Sequence, residues 1–248
     1  APPADSPTLM LGHVDDRLLA LVSPSHPVAE EYRTLRSGLL AKWEQKRHLV
    51  HVLTSATPQE GKTITSLNLG ASFAELRNRQ TIVVEADLRL PQFGRLLGLP
   101  QGPGLVQVLR GECTLDAAMM RLACGLWLIS AGTRAGNDAV QLLSGSLMGR
   151  IIKELRTRFD HTIIDTPPVV GLSDAGILGA QADESLLVAR AERTPLPLVE
   201  QAVKSLQSYG AAATGVIATD TRRARRRYYN YAYRYGYAYR SRAYTQAA

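Results

Sequence analysis

The sequence has only two cysteines, Cys113 and Cys124, in 248 residues. That excludes a disulfide framework and points to a reducing cytosol. No apolar run approaches the roughly 20 residues of a membrane helix, and no charged-then-apolar leader opens the chain given, so neither is expected within it. The five histidines (13, 26, 48, 51 and 161) have no metal-ligand spacing and read as structural or exposed. Aromatic residues are scarce outside one place: eight of the ten tyrosines fall within residues 228–248. Acids are absent from that same end, where residues 221–248 hold eight arginines and no lysine, aspartate or glutamate. Without those arginines the net charge of +7 becomes −1, so the chain carries a basic appendage and not a basic body.

What is present is globular: 45% apolar and 21% charged residues, in a length that suits one large domain with extensions. Residues 1–27, rich in Pro and Ser, read as a strap or linker, residues 28–220 as the domain, and 221–248 as a flexible Arg/Tyr-rich tail. Helical spacing of Tyr32, Leu35, Leu39 and Trp43 predicts a helix over 28–45 with an ordinary core-facing stripe. Apolar strands are predicted at 48–55, 81–87, 126–130, 161–168, 184–191 and 214–220. Helices are predicted from 61 to about 78, over 147–159 and over 195–208, with short helical pieces across 91–124. Alternating strands and helices, with strands apolar throughout, predict an α/β fold: a Rossmann-like, mostly parallel sheet with helices on both faces.

The strongest local signal is Ser55–Thr63, "SATPQEGKT", between a predicted strand and a predicted helix. It fits the phosphate-binding loop of P-loop NTPases except that Ala56 stands where the first glycine is usual. Backbone N–H groups at a helix N-terminus favour an anion, and Gly61 lets the backbone come close to it. Lys62 is placed for β- and γ-phosphates and the Thr63 hydroxyl for Mg²⁺. Candidate ATP contacts are Thr57, Pro58, Gln59, Glu60, Gly61, Lys62, Thr63 and Thr65. Further acids stand where an open sheet puts its site, at strand C-terminal ends: Asp165 in "IIDTPP", and Glu85 and Asp87 in "VVEADLRLP". Taken singly, such acids suit turns and caps, and Asp174 is read as a cap of that kind. Together with the lysine loop they point to a metal-nucleotide site, with Thr63, Asp87 and Asp165 around the metal.

In order, "PQEGKT", "EADLRLP" and "DTPP", preceded by Glu30, Arg33 and Arg36 in an E-x-x-R-x-x-R helix and followed by a tyrosine cluster, resemble the bacterial tyrosine kinases of exopolysaccharide and capsule synthesis. The resemblance covers about residues 20–244. It implies an ATP- and Mg²⁺-dependent protein-tyrosine autokinase with Lys62, Glu85, Asp87 and Asp165 as catalytic groups. The implied acceptors are Tyr228, Tyr229, Tyr231, Tyr233, Tyr235, Tyr237, Tyr239 and Tyr244, phosphorylated in trans within a ring-like homo-oligomer. Glu30, Arg33 and Arg36 would face the next subunit; on the residues alone, Glu30 and Arg33 are equally an i,i+3 surface pair. Implied partners are a membrane polysaccharide co-polymerase as activator and a cognate tyrosine phosphatase. The implied place is the cytoplasm at the inner face of the plasma membrane, held there by a partner or by an upstream transmembrane part. One departure is Glu85, where the family has Asp, and its extra methylene moves the carboxylate.

The tail by itself admits other readings. Arginine neutralises phosphate and tyrosine stacks on bases, which suits nucleic acid, while "RRARRR" suits anionic lipid. A ParA/MinD-like ATPase switch with such a tail is the alternative function. Against it, Thr57 occupies the position of that branch's signature lysine, and the body adds no basic face for nucleic acid. As substrate, the tail is expected to be drawn to a neighbour's acidic, nucleotide-loaded cleft and repelled once phosphates reverse its charge.

Overall fold

The computed structural model describes residues 8–9 and 11–221 of the protein. In chain order the first elements are β1 (Thr8–Leu9), α1 (Leu19–Val22), α2 (Pro27–Lys42), β2 (Leu49–Ser55), α3 (Lys62–Ala74), β3 (Thr81–Glu85), α4 (Phe93–Leu97), α5 (Leu105–Leu109) and α6 (Leu115–Ala118). Then come β4 (Met119–Leu122), β5 (Trp127–Ile129), α7 (Ala139–Ser144), α8 (Ser146–Arg158), β6 (His161–Asp165), α9 (Asp174–Gly179), β7 (Glu184–Arg190), α10 (Leu196–Ser208) and β8 (Ala213–Thr219). The strands form one sheet in the order β1-β4-β5-β3-β6-β2-β7-β8, parallel except for the antiparallel β4–β5 pair.

The central strands explain the sheet. Every residue of β2, β3 and β6 is buried. Their side chains alternate between two cores: Val50, Val52, Ile82, Val84 and Ile164 enter one, and Leu53, Val83 and Ile163 the other. A strand with both faces covered has no place for the polar half of an amphipathic pattern, hence the unbroken apolar runs. Helix α8 covers one face with Met148, Ile151, Ile152 and Leu155, one stripe at helical spacing. Burying each such side chain is worth about 1.5–3 kcal/mol. On the other face α3 packs so tightly that a Cβ at Gly70 would lie 2.3 Å from Val83 Cγ2. Any larger residue there would force α3 off the sheet.

Two stretches differ from their sequence reading. Met119–Leu122, expected among helical pieces, is a strand, closed onto β5 by a turn in which the Gly125 N–H donates to the Leu122 carbonyl (2.8 Å). Four residues are too few to show a period, so only the pairing partner decides. Asp174 opens α9 but makes no side-chain cap; it is fully buried and holds Arg89 (3.1 Å). The N-terminal stretch is fastened to the domain. Leu18 is fully buried, the Ala20 N–H donates to Asn68 Oδ1 (2.8 Å), and Asn68 Nδ2 donates to the Arg17 carbonyl (3.0 Å). Of the α2 stripe, Leu39 is buried and Tyr32 and Leu35 pack against the same core. Cys113 and Cys124 are free thiols.

At the strand ends opposite the phosphate loop lies a buried polar chain. Glu184 meets Lys42 Nζ (2.7 Å), His51 Nδ1 (2.6 Å) and Thr214 Oγ1 (2.9 Å). His51 Nε2 in turn lies 3.3 Å from His161 Nδ1, and the His161 ring packs tilted against Phe73 with centroids 4.2 Å apart. Burial and the neighbouring His51, Arg79 and Arg47 depress His161 to about 3. The Glu184 carboxyl falls to about 2, its burial outweighed by His51, Lys42 and Thr214. Between pH 6.5 and 3 the unfolded chain therefore binds a proton at His161 that the folded chain refuses, and stability falls as pH falls. His161→Asn should remove this part of the acid sensitivity. Unfolding free energies from urea titrations between pH 7 and 5 should fall more steeply for the native chain, by up to about 1.4 kcal/mol per pH unit. Parallel pH profiles would overturn this account.

Candidate active site

Three strands set the site by ending together. In register, Leu53 of β2 pairs with Asp165 of β6, and Asp165 pairs with Glu85 of β3. The loop after β2 runs from Ala56 into Lys62, the first residue of α3. Gly61 caps that helix with φ +95°, a backbone shape that residues with a Cβ rarely adopt, so a glycine is required here. Ala56 is buried within a small apolar cluster, so its methyl takes part in packing and does not obstruct the loop.

A cleft of about 560 Å³ opens over the loop, in the size range of small-molecule sites. Pro58, Gln59, Gly61, Lys62, Thr63 and Asp87 line it, together with Arg17, Arg95 and Arg190. Lys62 Nζ donates to Asp87 Oδ2 (2.8 Å), while Asp87 Oδ1 accepts the Leu90 N–H (3.1 Å). Lys62 is raised above the ordinary lysine range, because Asp165, Asp87 and Glu85 together outweigh its burial. Asp165 is buried behind the cleft's lining, its Oδ1 accepts from Ser66 Oγ (3.0 Å), and its Oδ2 has no hydrogen-bond partner among the described residues. Burial pushes Asp165 up to about 6, opposed first by Lys62.

That orphaned oxygen is a place for a cation or an ordered water, which makes the site fit a hydrated metal ion. Among the described residues no group of three or more His, Cys, Asp or Glu could hold a metal alone, so phosphate oxygens would have to complete its shell.

Glu60 is built into the loop. Its carboxylate accepts from the Thr57 N–H (3.0 Å) and from the Thr194 hydroxyl. Thr57 and Glu60 line a smaller hollow of about 180 Å³ with Arg190, Arg193 and Thr194.

Of the expected site residues, Thr57 and Glu60 line only the smaller hollow, and Thr65, Glu85 and Asp165 line neither. Thr65 is buried beside the Tyr32 hydroxyl of α2. Glu85 accepts three backbone N–H groups, those of Gln92, Phe93 (2.7 Å) and Ala131 (2.9 Å), so both its oxygens are engaged. Burial pushes its carboxyl up to about 7 despite those donors. The longer glutamate reaches across to the start of α4, and the residue works as a staple.

The cleft's own lining is basic. Four cations (Arg17, Lys62, Arg95 and Arg190) line it against one carboxylate, Asp87. An acidic character can come only with bound nucleotide. Nothing in the local pattern marks Arg17 or Arg95 as site residues, whereas Arg190, the last residue of β7, stands at a strand end as the site acids do.

Glu30, Arg33 and Arg36 lie together on α2 but are held within the chain. Arg33 donates to Glu75 (2.7 and 2.8 Å), to Glu30 (2.9 Å) and to the Pro24 carbonyl (2.8 Å). Arg36 donates to Glu75 (3.1 Å) and to the Ser72 carbonyl. The eight tyrosines expected as acceptors lie outside the described residues.

No family model matches the chain. The tyrosine-protein kinase YwqD of Bacillus subtilis is 30% identical over 201 residues, covering 81% of this chain and 84% of that protein. The tyrosine-protein kinase Wzc of Salmonella typhimurium is 31% identical over 81% of this chain and 28% of its own length. The chain spans only 26–28% of the length of the first curated relatives it matches. Among solved structures, the VpsO kinase domain is 35% identical with a TM-score of 0.70, over 77% of this chain and 93% of that one. The kinase domain of the Escherichia coli tyrosine kinase ETK has a TM-score of 0.78 at 27% identity, over 84% of this chain and 82% of its own. The cell-division ATPase MinD of Pyrococcus furiosus shares the fold, with a TM-score of 0.58 at 24% identity over 69% of this chain and 71% of its own. The fold is thus a P-loop NTPase fold.

Glu85→Ala strands two buried amides and one half-buried one, each buried amide costing about 1–3 kcal/mol when unsatisfied. Urea unfolding should show a loss of at least about 2 kcal/mol. An unchanged midpoint would show that Glu85 is not a staple.

Proposed function

The chain belongs to the bacterial tyrosine-protein kinases, and from that premise we propose that it is an ATP-dependent protein-tyrosine autokinase acting on the tyrosines of its own C-terminal tail. The observation that carries this reading is the Lys62–Asp87 ion pair in a nucleotide-sized cleft, beside the unpartnered oxygen of Asp165.

Each residue then has a task. Lys62 turns from Asp87 to the β- and γ-phosphates, where its charge offsets that of the transferred group. Thr63, Asp165 and Asp87 are the residues that would hold magnesium and its waters, and the ion would supply charge neutralisation to the phosphates. Release from Lys62 leaves Asp87 Oδ2 open toward the acceptor. A tyrosine hydroxyl, with a free pKa of about 10, needs help to lose its proton. Its oxygen attacks the γ-phosphorus, the bond to the β,γ-bridging oxygen breaks, ADP departs and the phenol proton passes to Asp87. Glu85, engaged by three amides, is a poor rival for that proton.

The wider setting rests on the family resemblance. The tail enters a neighbour's cleft within a ring. Of the three α2 residues, Glu30 has the most exposed side chain (68%), whereas Arg33 is committed to Glu75. A membrane polysaccharide co-polymerase activates the kinase at the inner face of the plasma membrane, a phosphatase resets it, and the output is exopolysaccharide or capsule export.

Intact-mass measurement after incubation with ATP and Mg²⁺ tests the reading. Successive gains of one phosphate per chain are expected. Lys62→Met should abolish them, and Asp87→Asn should slow them by about 10²-fold or more. Turnover to ADP without mass gain would overturn the kinase reading and mark an ATPase switch.

A further inference from the structure

Where β8 ends, the chain is pinned to the phosphate loop. Thr219 Oγ1 donates to the Glu60 carbonyl (2.7 Å), and the position of a Gly61 Cβ is 3.5 Å from Thr219 Cγ2. Thr219 is in register with Arg190 of β7, and its carbonyl accepts the Ala191 N–H (2.9 Å). The next residue, Asp220, has φ +54° and pairs with Arg190 through Nε (3.0 Å) and Nη2 (2.9 Å). Arg190 lines both hollows beside the loop, the cleft with Lys62 and the smaller one with Thr57 and Glu60. One guanidinium therefore stands between the nucleotide cleft and the root of the tyrosine-bearing tail.

We propose that Arg190 is a phosphate-binding residue for a nucleoside polyphosphate, holding Asp220 only while the cleft is empty, so that nucleotide loading unlatches the root of the tail. This rests on the nucleotide-binding part of the proposed function. The Arg190–Asp220 pair is partly exposed, 34% and 41%, and such pairs are weak. Phosphate offers a planar guanidinium stronger, charge-assisted bonds than one solvated carboxylate does. Arg190 is anchored for the exchange: its N–H donates to Thr194 Oγ1 (2.9 Å), and that hydroxyl donates to Glu60 of the loop. A shift of the loop and a shift of Arg190 are thereby mechanically joined. Competition for one cation makes the coupling reciprocal, so whatever weakens the latch must tighten nucleotide binding.

The test is ADP binding to the full chain by calorimetry at fixed salt, with Mg²⁺. Asp220→Asn is expected to bind ADP about 5-fold tighter than the native chain. Arg190→Ala is expected to bind it about tenfold weaker, Arg190→Lys in between, and the double variant like Arg190→Ala alone. ADP should also speed hydrogen exchange at the amides of residues 218–220. Affinities of Asp220→Asn and Arg190→Lys within about twofold of native, or slower exchange with ADP, would overturn the latch. Phosphate transfer is read separately. A chain showing these shifts without gaining phosphate would sink the kinase reading alone; a phosphorylating chain without them would sink the latch alone.

Discussion

Parallel pairing of β2, β3 and β6 brings three strand ends to one edge, and that register is what the site depends on. It sets Asp165 fully buried between Leu53 and Glu85, with one carboxylate oxygen unpartnered. A buried carboxylate is costly unless a counter-charge stands near. Lys62 provides it, and Lys62 is fixed because the loop after β2 turns directly into α3. Phosphate cradle, cation and acids are thus consequences of one sheet edge.

The loop is held from behind as firmly as from the strands. Glu60 ties it to Thr57 and Thr194, and Thr219 ties its carbonyl to the end of β8. A phosphate site works by preorganised donors, and these contacts provide the preorganisation. They also bring the place where the tail leaves the domain next to the nucleotide cleft. The terminal stretch therefore begins beside the chain's own phosphate loop.

Much of the candidate site was legible as a linear string. "PQEGKT" between an apolar strand and a helix, with acids at the next strand ends, required little knowledge of packing. Arg17, Arg95 and Arg190 were not legible, since an arginine's role depends on which cavity its long side chain reaches. Glu85 reads in sequence as a second catalytic acid, but in the fold its three amide partners come from residues 92, 93 and 131, far along the chain. Arg33 and Arg36 likewise find Glu75, some forty residues away. The Lys42–Glu184–His51–His161 chain, buried except at Lys42, has no local signature, because its members belong to four different elements.

By itself the sequence determined the alternation of strands and helices, the phosphate loop, Asp87 and Asp165, and the clustering of eight tyrosines with eight arginines in one terminal stretch. These follow from periodicity, loop chemistry and composition, which act within a few residues of one another. Tertiary structure alone decided which carboxylate faces the cleft and which staples the backbone, that the cleft is lined with cations, and that β8 delivers the tail to the phosphate loop. Each of those depends on strand order and register, which juxtapose residues tens to more than a hundred positions apart and leave no mark on the local pattern.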